Sequence, residues 1–224
     1  MGRRKKEPGS VHRKNIADAA QELFIQKGIE HTSMSEIARK AGYSKATLYV
    51  YFKNKEEIVS VLVLESMEKL YAHVVNALET AGNTRKRYER ICQSLVAYQR
   101  EYPFYFQLAL CEINIDFTHT DFLPEEQETF RIGEKINDKI CRFIQEGIAA
   151  GDFRADLPIL PTIFSFWGML SGLILTGENK RTYIEQEIGL SRDAFLSYGF
   201  ETLYRAITVR EPAAPTSHGG SKLL

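Results

Sequence analysis

Cysteine is scarce in this chain. Three occur in 224 residues, Cys92, Cys111 and Cys141, and none forms a C-x-x-C pair. One is left over under any pairing, which argues against a disulfide scaffold and favours a reducing compartment. Net charge is absent too, since 29 Lys and Arg balance 29 Asp and Glu; a disordered acidic chain is excluded, and 15 Gly and 7 Pro exclude a collagen. There is no Gly-rich phosphate loop, no nucleophile with a matched base and no metal-ligand pair on one helix face. A helical enzyme acting on an anionic substrate is therefore a distant alternative, and no cofactor is expected. Asp116, His119 and Asp121 have ligand-like spacing, but three such groups on a polar loop are ordinarily solvated, so no metal is expected either. Targeting signals are missing: Met1-Gly2 is followed by Lys6 where an acylation signal wants Ser or Thr, and Arg3-Arg4 by no apolar run. A cytoplasmic location is expected. The one long uncharged run, Leu157 to Gly177, is interrupted by Pro158 and Pro161. What remains, Thr162 to Thr176, falls short of the ~20 residues a bilayer requires, so a buried helix and no membrane partner are expected.

The zero net charge hides an asymmetry. Residues 1–55 hold 12 basic against 5 acidic residues, net +7, and the remaining 169 are net −7. Such a split fits a polyanion-binding head on an acidic body. Part of the excess, Arg3 to Lys6, reads as a solvated terminus. Helical periodicity runs through nearly the whole chain and no strand pattern appears. Ile16, Ala19, Ala20, Leu23 and Phe24 form one stripe ending near Gly28. Ser33 and Glu36 form a capping box before a short helix that stops at Gly42. Ser44 opens a third helix of two turns, and Asn54 caps a long fourth one from Lys55 to about Leu78. Further helices are expected over 88–102, 104–111, from Pro124 to Gly151, 161–176 and 191–208, with a loop over 114–124. The fold class is thus all-α: an N-terminal three-helix domain with a helix-turn-helix plus a larger C-terminal helical bundle, about nine helices in total. Residues 1–11 are expected as a disordered basic arm, 12–58 as the helix-turn-helix domain, 59–209 as the body and 210–224 as a disordered tail.

The tight turn between the second and third helices explains three residues sterically. Ala38 is small where the helices cross, Gly42 accepts the positive φ of the turn, and Leu48 points back into a core with Ile37 and Leu23. Any such corner needs these three. More specific is the polar face of the third helix, where Lys45 and Tyr49 lie one turn apart and away from Leu48.

The segment Thr32-Ser33-Met34-Ser35-Glu36-Ile37-Ala38, followed by Ala41-Gly42-Tyr43-Ser44-Lys45-Ala46-Thr47-Leu48-Tyr49-Val50-Tyr51-Phe52-Lys53-Asn54-Lys55, resembles the DNA-binding domain of the TetR family of transcription regulators over roughly residues 12–60. A weaker echo, Gly147 to Arg154, is similar to the end of the seventh helix in many members. The resemblance implies that Lys45, Ala46 and Tyr49 read base edges in the major groove and that Thr47, Tyr51 and Lys55 hold phosphates. The chemistry agrees: Lys can donate to guanine O6 or N7, Ala46 can touch a thymine methyl, and hydroxyl or ammonium groups suit phosphate oxygens. Ser33 and Lys55 also open helices, whose free N–H groups favour phosphate. For Thr47 and Tyr51 the alternative is a half-buried side chain with a wet hydroxyl. Two positions depart from the family pattern: Met34 replaces a polar base-reading side chain of some members, and Tyr43 a smaller aliphatic. The arm Arg3 to Lys6 is a candidate for the minor groove.

The same resemblance implies a body that binds a small-molecule effector and forms a homodimer through a four-helix bundle. In support, the helix from Pro161 to Thr176 is apolar all round and carries the small residues Gly168, Ser171 and Gly172; Phe195, Gly199 and Thr202 on the last helix complete the expected interface. Candidate pocket residues are Phe104, Phe106, Phe164 and Trp167, with Tyr98 and Asn114 as polar anchors. Aromatics at this spacing equally serve as plain core. The expected function is a homodimeric repressor released from a palindromic operator by an effector. The alternative is an architectural or partner-controlled DNA-binding protein without one.

Overall fold

A computed structural model describes residues 8–111 and 122–209. Among these, ten α-helical segments and one π-helical turn occur, and the extended pairing is a lone bridge between Phe153 and Thr208. The helices are α1 (Gly9–Lys27), α2 (Met34–Ala41), α3 (Lys45–Tyr51), α4 (Lys55–Glu79), α5 (Thr84–Glu101), α6 (Pro103–Cys111), α7 (Pro124–Ala149), α8 (Ile159–Asn179), α9 (Arg181–Tyr183) and α10 (Arg192–Ile207). The chain divides into two compact units, Met1–Ala81 with Glu89–Lys139, and Gly82–Tyr88 with Ile140–Leu224.

In the first unit, α1 packs on α2, α3 and α4, and α4 also on α6. The core is built from one apolar face of each helix: Ile16, Ala20 and Phe24 of α1, Ile37 and Ala38 of α2, Leu48 of α3, Phe52 after it, and Ile58 and Leu62 of α4 are all buried. Leu23, expected beside Leu48, is only half-buried; Phe24, one position on around the helix, fills the core instead. Helix starts follow capping chemistry: Ser33, Ser44 and Asn54 each accept a hydrogen bond from the backbone N–H three residues on. Pro103 and Pro124 stand first in α6 and α7, where a missing N–H costs nothing. Gly9, Ser10 and Val11, expected in a disordered arm, form the first turn of α1.

In the second unit, α10 lies along α8. The approach is close at Gly199, where a Cβ would stand 2.8 Å from the methyls of Leu173, and at Gly177, 3.2 Å from Leu196. Tyr88 donates its hydroxyl to the Phe200 carbonyl (2.8 Å), and Arg85 pairs with Glu201 (2.6 Å). Three expectations change here. Pro161 does not break the helix, because it sits in the first turn of α8, where the chain needs no N–H donor. Nor is α8 a buried helix: it reaches 21 residues, by length and composition enough to cross a membrane, yet only 17% of its apolar window is buried. Finally, α9 and the π turn Ile184–Ile188 add to the helices expected from periodicity; buried Ile184 anchors them and Gly189, at φ 72°, closes them.

Candidate nucleic-acid interface

Helix α3 is held from three sides. Leu48 is fully buried. Gly42 takes φ 76°, ψ 22°, the left-handed conformation the turn requires. Tyr43, the unusual turn residue, hydrogen-bonds through its hydroxyl to His12 Nδ1 at 2.8 Å, with the two rings edge to face. At the far end, Arg13 lies 4.2 Å over the Phe52 ring, donates to the Tyr51 carbonyl at 2.6 Å and pairs with Glu125 of α7 at 2.6 Å. The carbonyl-rich C-terminal end of α3 is thereby given a cation, which suits the negative end of the helix dipole.

These anchors leave one face of α3 open. Lys45, Ala46, Tyr49 and Val50 are exposed, Tyr49 at 44% and Val50 at 78%. Lys45 and Tyr49 are brought together as expected from their spacing, the ammonium 5.9 Å from the ring centroid. Thr47 is half-buried and its hydroxyl bonds that of Ser44 at 2.8 Å. Tyr51 is half-buried beside the His12 ring, centroids 5.2 Å apart. Ser33 is exposed, with its hydroxyl 2.7 Å from Glu36 in the capping box. Glu36 also accepts from Lys27 at 2.6 Å, and the Lys27 and Ser33 donors together lower its carboxyl from the ordinary 4.5 to about 2. Lys55 donates to the Ile29 carbonyl at 2.7 Å, so part of its donor capacity stays within the protein. Met34 is half-buried. Two contributors escape the sequence reading. Val50 is legible, one turn beyond Ala46. Arg13 is not, since its partner Glu125 is 112 residues away.

The face is a short helix presenting one cation, one phenol and two apolar side chains, Ala46 and Val50, the set with which side chains read major-groove edges. Residues 16–62 match the family model for bacterial regulatory proteins of the tetR family. That match covers the helix-turn-helix segment and places residues 16–62 among the bacterial regulatory proteins of the tetR family. The HTH-type transcriptional regulator TtgR of Pseudomonas putida is 35% identical over 80 residues, 36% of this chain and 38% of TtgR. The chain thus spans little more than a third of the length of the first curated relatives it matches. The fatty acid metabolism regulator protein of Bacillus subtilis (strain 168) is 25% identical over 154 residues, 64% of this chain and 72% of that protein. Among solved structures, the Bacillus subtilis transcriptional regulator FadR in complex with stearoyl-CoA superposes with a TM-score of 0.62 at 19% identity, covering 85% of this chain and 97% of that one; this likeness shows the fold. These relatives are transcription regulators, not enzymes, and the segment of this chain that matches the family model is the helix-turn-helix head.

The remaining candidate residues fall in several places. Tyr98 and Phe106 are buried, and Tyr98 donates to the Ser66 carbonyl at 2.9 Å; burial holds its phenol neutral by raising its pKa. Phe104 is half-buried and lines a cleft of about 570 Å³ with Phe24, Ile25 and Leu108. Trp167 is half-buried and Phe164 is 62% exposed. Asn114 and the triad Asp116, His119 and Asp121 lie outside the described residues, as do Arg3 to Lys6 and residues 210–224. Gly168 and Gly172 are exposed, and a Cβ on either would meet nothing. Ser171 is half-buried, donating to the Trp167 carbonyl at 2.6 Å. Phe195 is half-buried and Thr202 exposed, whereas Gly199 is buried against α8 of its own chain. Gly199 therefore serves packing within the chain, the small residue there being what lets α8 and α10 approach.

Proposed function

We propose that this chain is a tetR-family DNA-binding transcription regulator, a homodimeric repressor that binds a palindromic operator in the cytoplasm and leaves it when a small-molecule effector binds the body. The observation that carries the reading is the uncovered face of α8. Leu160 is 56% exposed, Phe164 62% and Met169 41%, beside Gly168 and Gly172, which leave room for another helix. Contiguous apolar exposure of this kind calls for a partner. A second copy suits it better than lipid, because Thr202 and Arg205 on the adjoining α10 are exposed and polar. Two heads related by a two-fold axis meet half-sites one helical turn apart, so the operator is palindromic.

In this reading residues 12–58 are the head and 59–209 the effector and dimerisation body. Lys45, Ala46 and Tyr49 read bases. Ser33, Thr47, Tyr51 and Lys55 serve the phosphates, each by turning an O–H or N–H donor to a phosphate oxygen, which for Ser33 means leaving the Glu36 carboxylate it donates to in the free protein. Tyr98, Phe104 and Phe106 are the pocket candidates of the first unit and Phe164 and Trp167 those of the second, with Asn114 outside the described residues. Release requires the effector to prefer the DNA-incompetent state, since equal affinity for both shifts nothing. Long-chain acyl-CoA is the first class to test, because FadR, of like fold, is bound to stearoyl-CoA. The second reading, a regulator without effector, draws on the complete burial of Tyr98 and Phe106.

The test is selection of bound sequences from a random duplex pool, followed by titration of stearoyl-CoA and other small molecules against the winning complex. A two-fold symmetric winner released by one of them supports the repressor. A symmetric winner that no compound releases, with no thermal shift, supports the effector-free regulator. Salt-sensitive, sequence-blind binding removes the operator-specific repressor and favours the architectural reading.

A further inference from the structure

The apolar edge of the α3 face is larger than base-reading by Lys45, Ala46 and Tyr49 requires. Val50 is 78% exposed, the most exposed large hydrophobic residue among the described ones, and it stands four residues, one helical turn, after exposed Ala46. Folding does not ask for valine here. The core of the head is closed by Leu48 and Phe52 without it, and a β-branched residue on an exposed helix surface is a poorer helix former than Ala, Lys or Glu. The neighbours of Val50 one turn back on the helix are Ala46 and Thr47, of which Ala46 is exposed and Thr47 half-buried. Two parallel ridges result on α3: a polar one of Lys45 and Tyr49, and an apolar one of Ala46 and Val50.

A major groove offers hydrogen-bonding groups at every base pair but one apolar group, the thymine C5-methyl. We infer that Val50, extending the Ala46 ridge, is a specificity-determining residue that packs its γ-methyls on a thymine methyl in each half-site, giving the operator a preferred A·T pair at that position. This rests on the proposed operator-binding reading of α3 and adds to it the identity of one base. A lone exposed valine is common on protein surfaces; what singles this one out is its place in the ridge, on the helix held by Leu48, the Tyr43–His12 bond and Arg13. No hydrogen bond of Val50 is needed, and a lost methyl contact changes affinity without changing the number of phosphates bound.

The chemistry supplies a clean probe, because deoxyuridine differs from thymidine only by that methyl. With the full-length protein and the selected duplex, each thymine is replaced singly by deoxyuridine, and binding is measured for wild type and for Val50→Ala, which removes only exposed atoms and is a better helix former. One thymine per half-site is expected at which the exchange weakens wild-type binding about four-fold, the value of one buried methyl-sized group. Val50→Ala should bind the thymine duplex weaker by a similar factor and be indifferent to deoxyuridine at that position alone, with the salt dependence unchanged. A deoxyuridine effect that persists undiminished in Val50→Ala belongs to another side chain and overturns the inference, as does the absence of any effect or a selected site with no thymine in its half-sites. In those cases specific binding survives, so the operator-binding reading stands while the inference fails; recovery of no specific site overturns both.

Discussion

At the residue scale, the head separates side chains that hold α3 from side chains that face outward. Leu48 belongs to the first kind, and truncation to Ala should cost about 2–5 kcal/mol of stability, as for other buried Leu, read by denaturant unfolding. Tyr49 belongs to the second. Tyr49→Ala should leave stability within about 0.5 kcal/mol of wild type, weaken binding to the selected site about tenfold or more, a loss of the size expected for one base-reading contact, and leave the salt slope unchanged; equal affinity of the variant and wild type would remove Tyr49 from the base-reading face. Glu36 is a third kind, a cap whose effect depends on pH. Its carboxyl is depressed in the folded protein by Lys27 and Ser33 to about 2, so the capping box stabilises fully above the unfolded value near 4.5 and loses that contribution as pH falls toward 2. Wild type should therefore melt above Glu36→Gln at neutral pH, the gap closing as the pH drops through that window. A gap independent of pH would mean that charge plays no part in the cap.

At the element scale, close approaches decide which helices meet. Past the end of α7 the chain passes Gly151, at φ 78°, and brings buried Phe153 over Gly147, where a Cβ would lie 2.3 Å from its Cδ2. Gly147→Ala is expected to cost about 1–3 kcal/mol through overpacking, measured by thermal or denaturant unfolding. Gly168 behaves oppositely, for a Cβ there meets open space, so within one protomer Gly168→Ala should be neutral. The uncovered α8 face makes a sharper forecast. Phe164→Glu removes an exposed ring and should leave the helix content intact, but place a charge in the proposed interface. Sedimentation should then show a protomer of half the wild-type assembly mass, with the symmetric site no longer bound. A variant that stays dimeric would move the interface elsewhere.

At the scale of the whole molecule, charge is distributed unevenly along the chain, net +7 in residues 1–55 and −7 beyond. A basic head supplies sequence-independent attraction, and each phosphate it neutralises contributes about −0.9 to the slope of log affinity against log salt. Binding to the selected duplex should fall steeply with salt and titrate at two protomers per site. A shallow slope would mean that few phosphates are touched and that the basic excess is mere solvated surface.

What the sequence determined by itself is the local part of this protein. Capping residues, Gly42 and the apolar stripes act over three or four positions, so the helix-turn-helix, the all-α class and the Lys45–Tyr49 pair are legible from spacing alone. Even there the limits are short-range: Pro161 reads as a breaker unless its place in the first turn is known, and Leu23 and Phe24 sit next to each other on one stripe, where only packing chooses which is buried. Tertiary structure decided the rest. Arg13 reaches Glu125 across 112 residues, Tyr43 finds its support in His12, and Gly199 faces Leu173 of its own chain. Burial of α8 cannot be read from its hydrophobicity either, because an apolar helix is equally suited to the interior of one chain and to the seam between two. Which of these holds depends on the surfaces that other helices leave uncovered, a property of the folded chain and not of the segment.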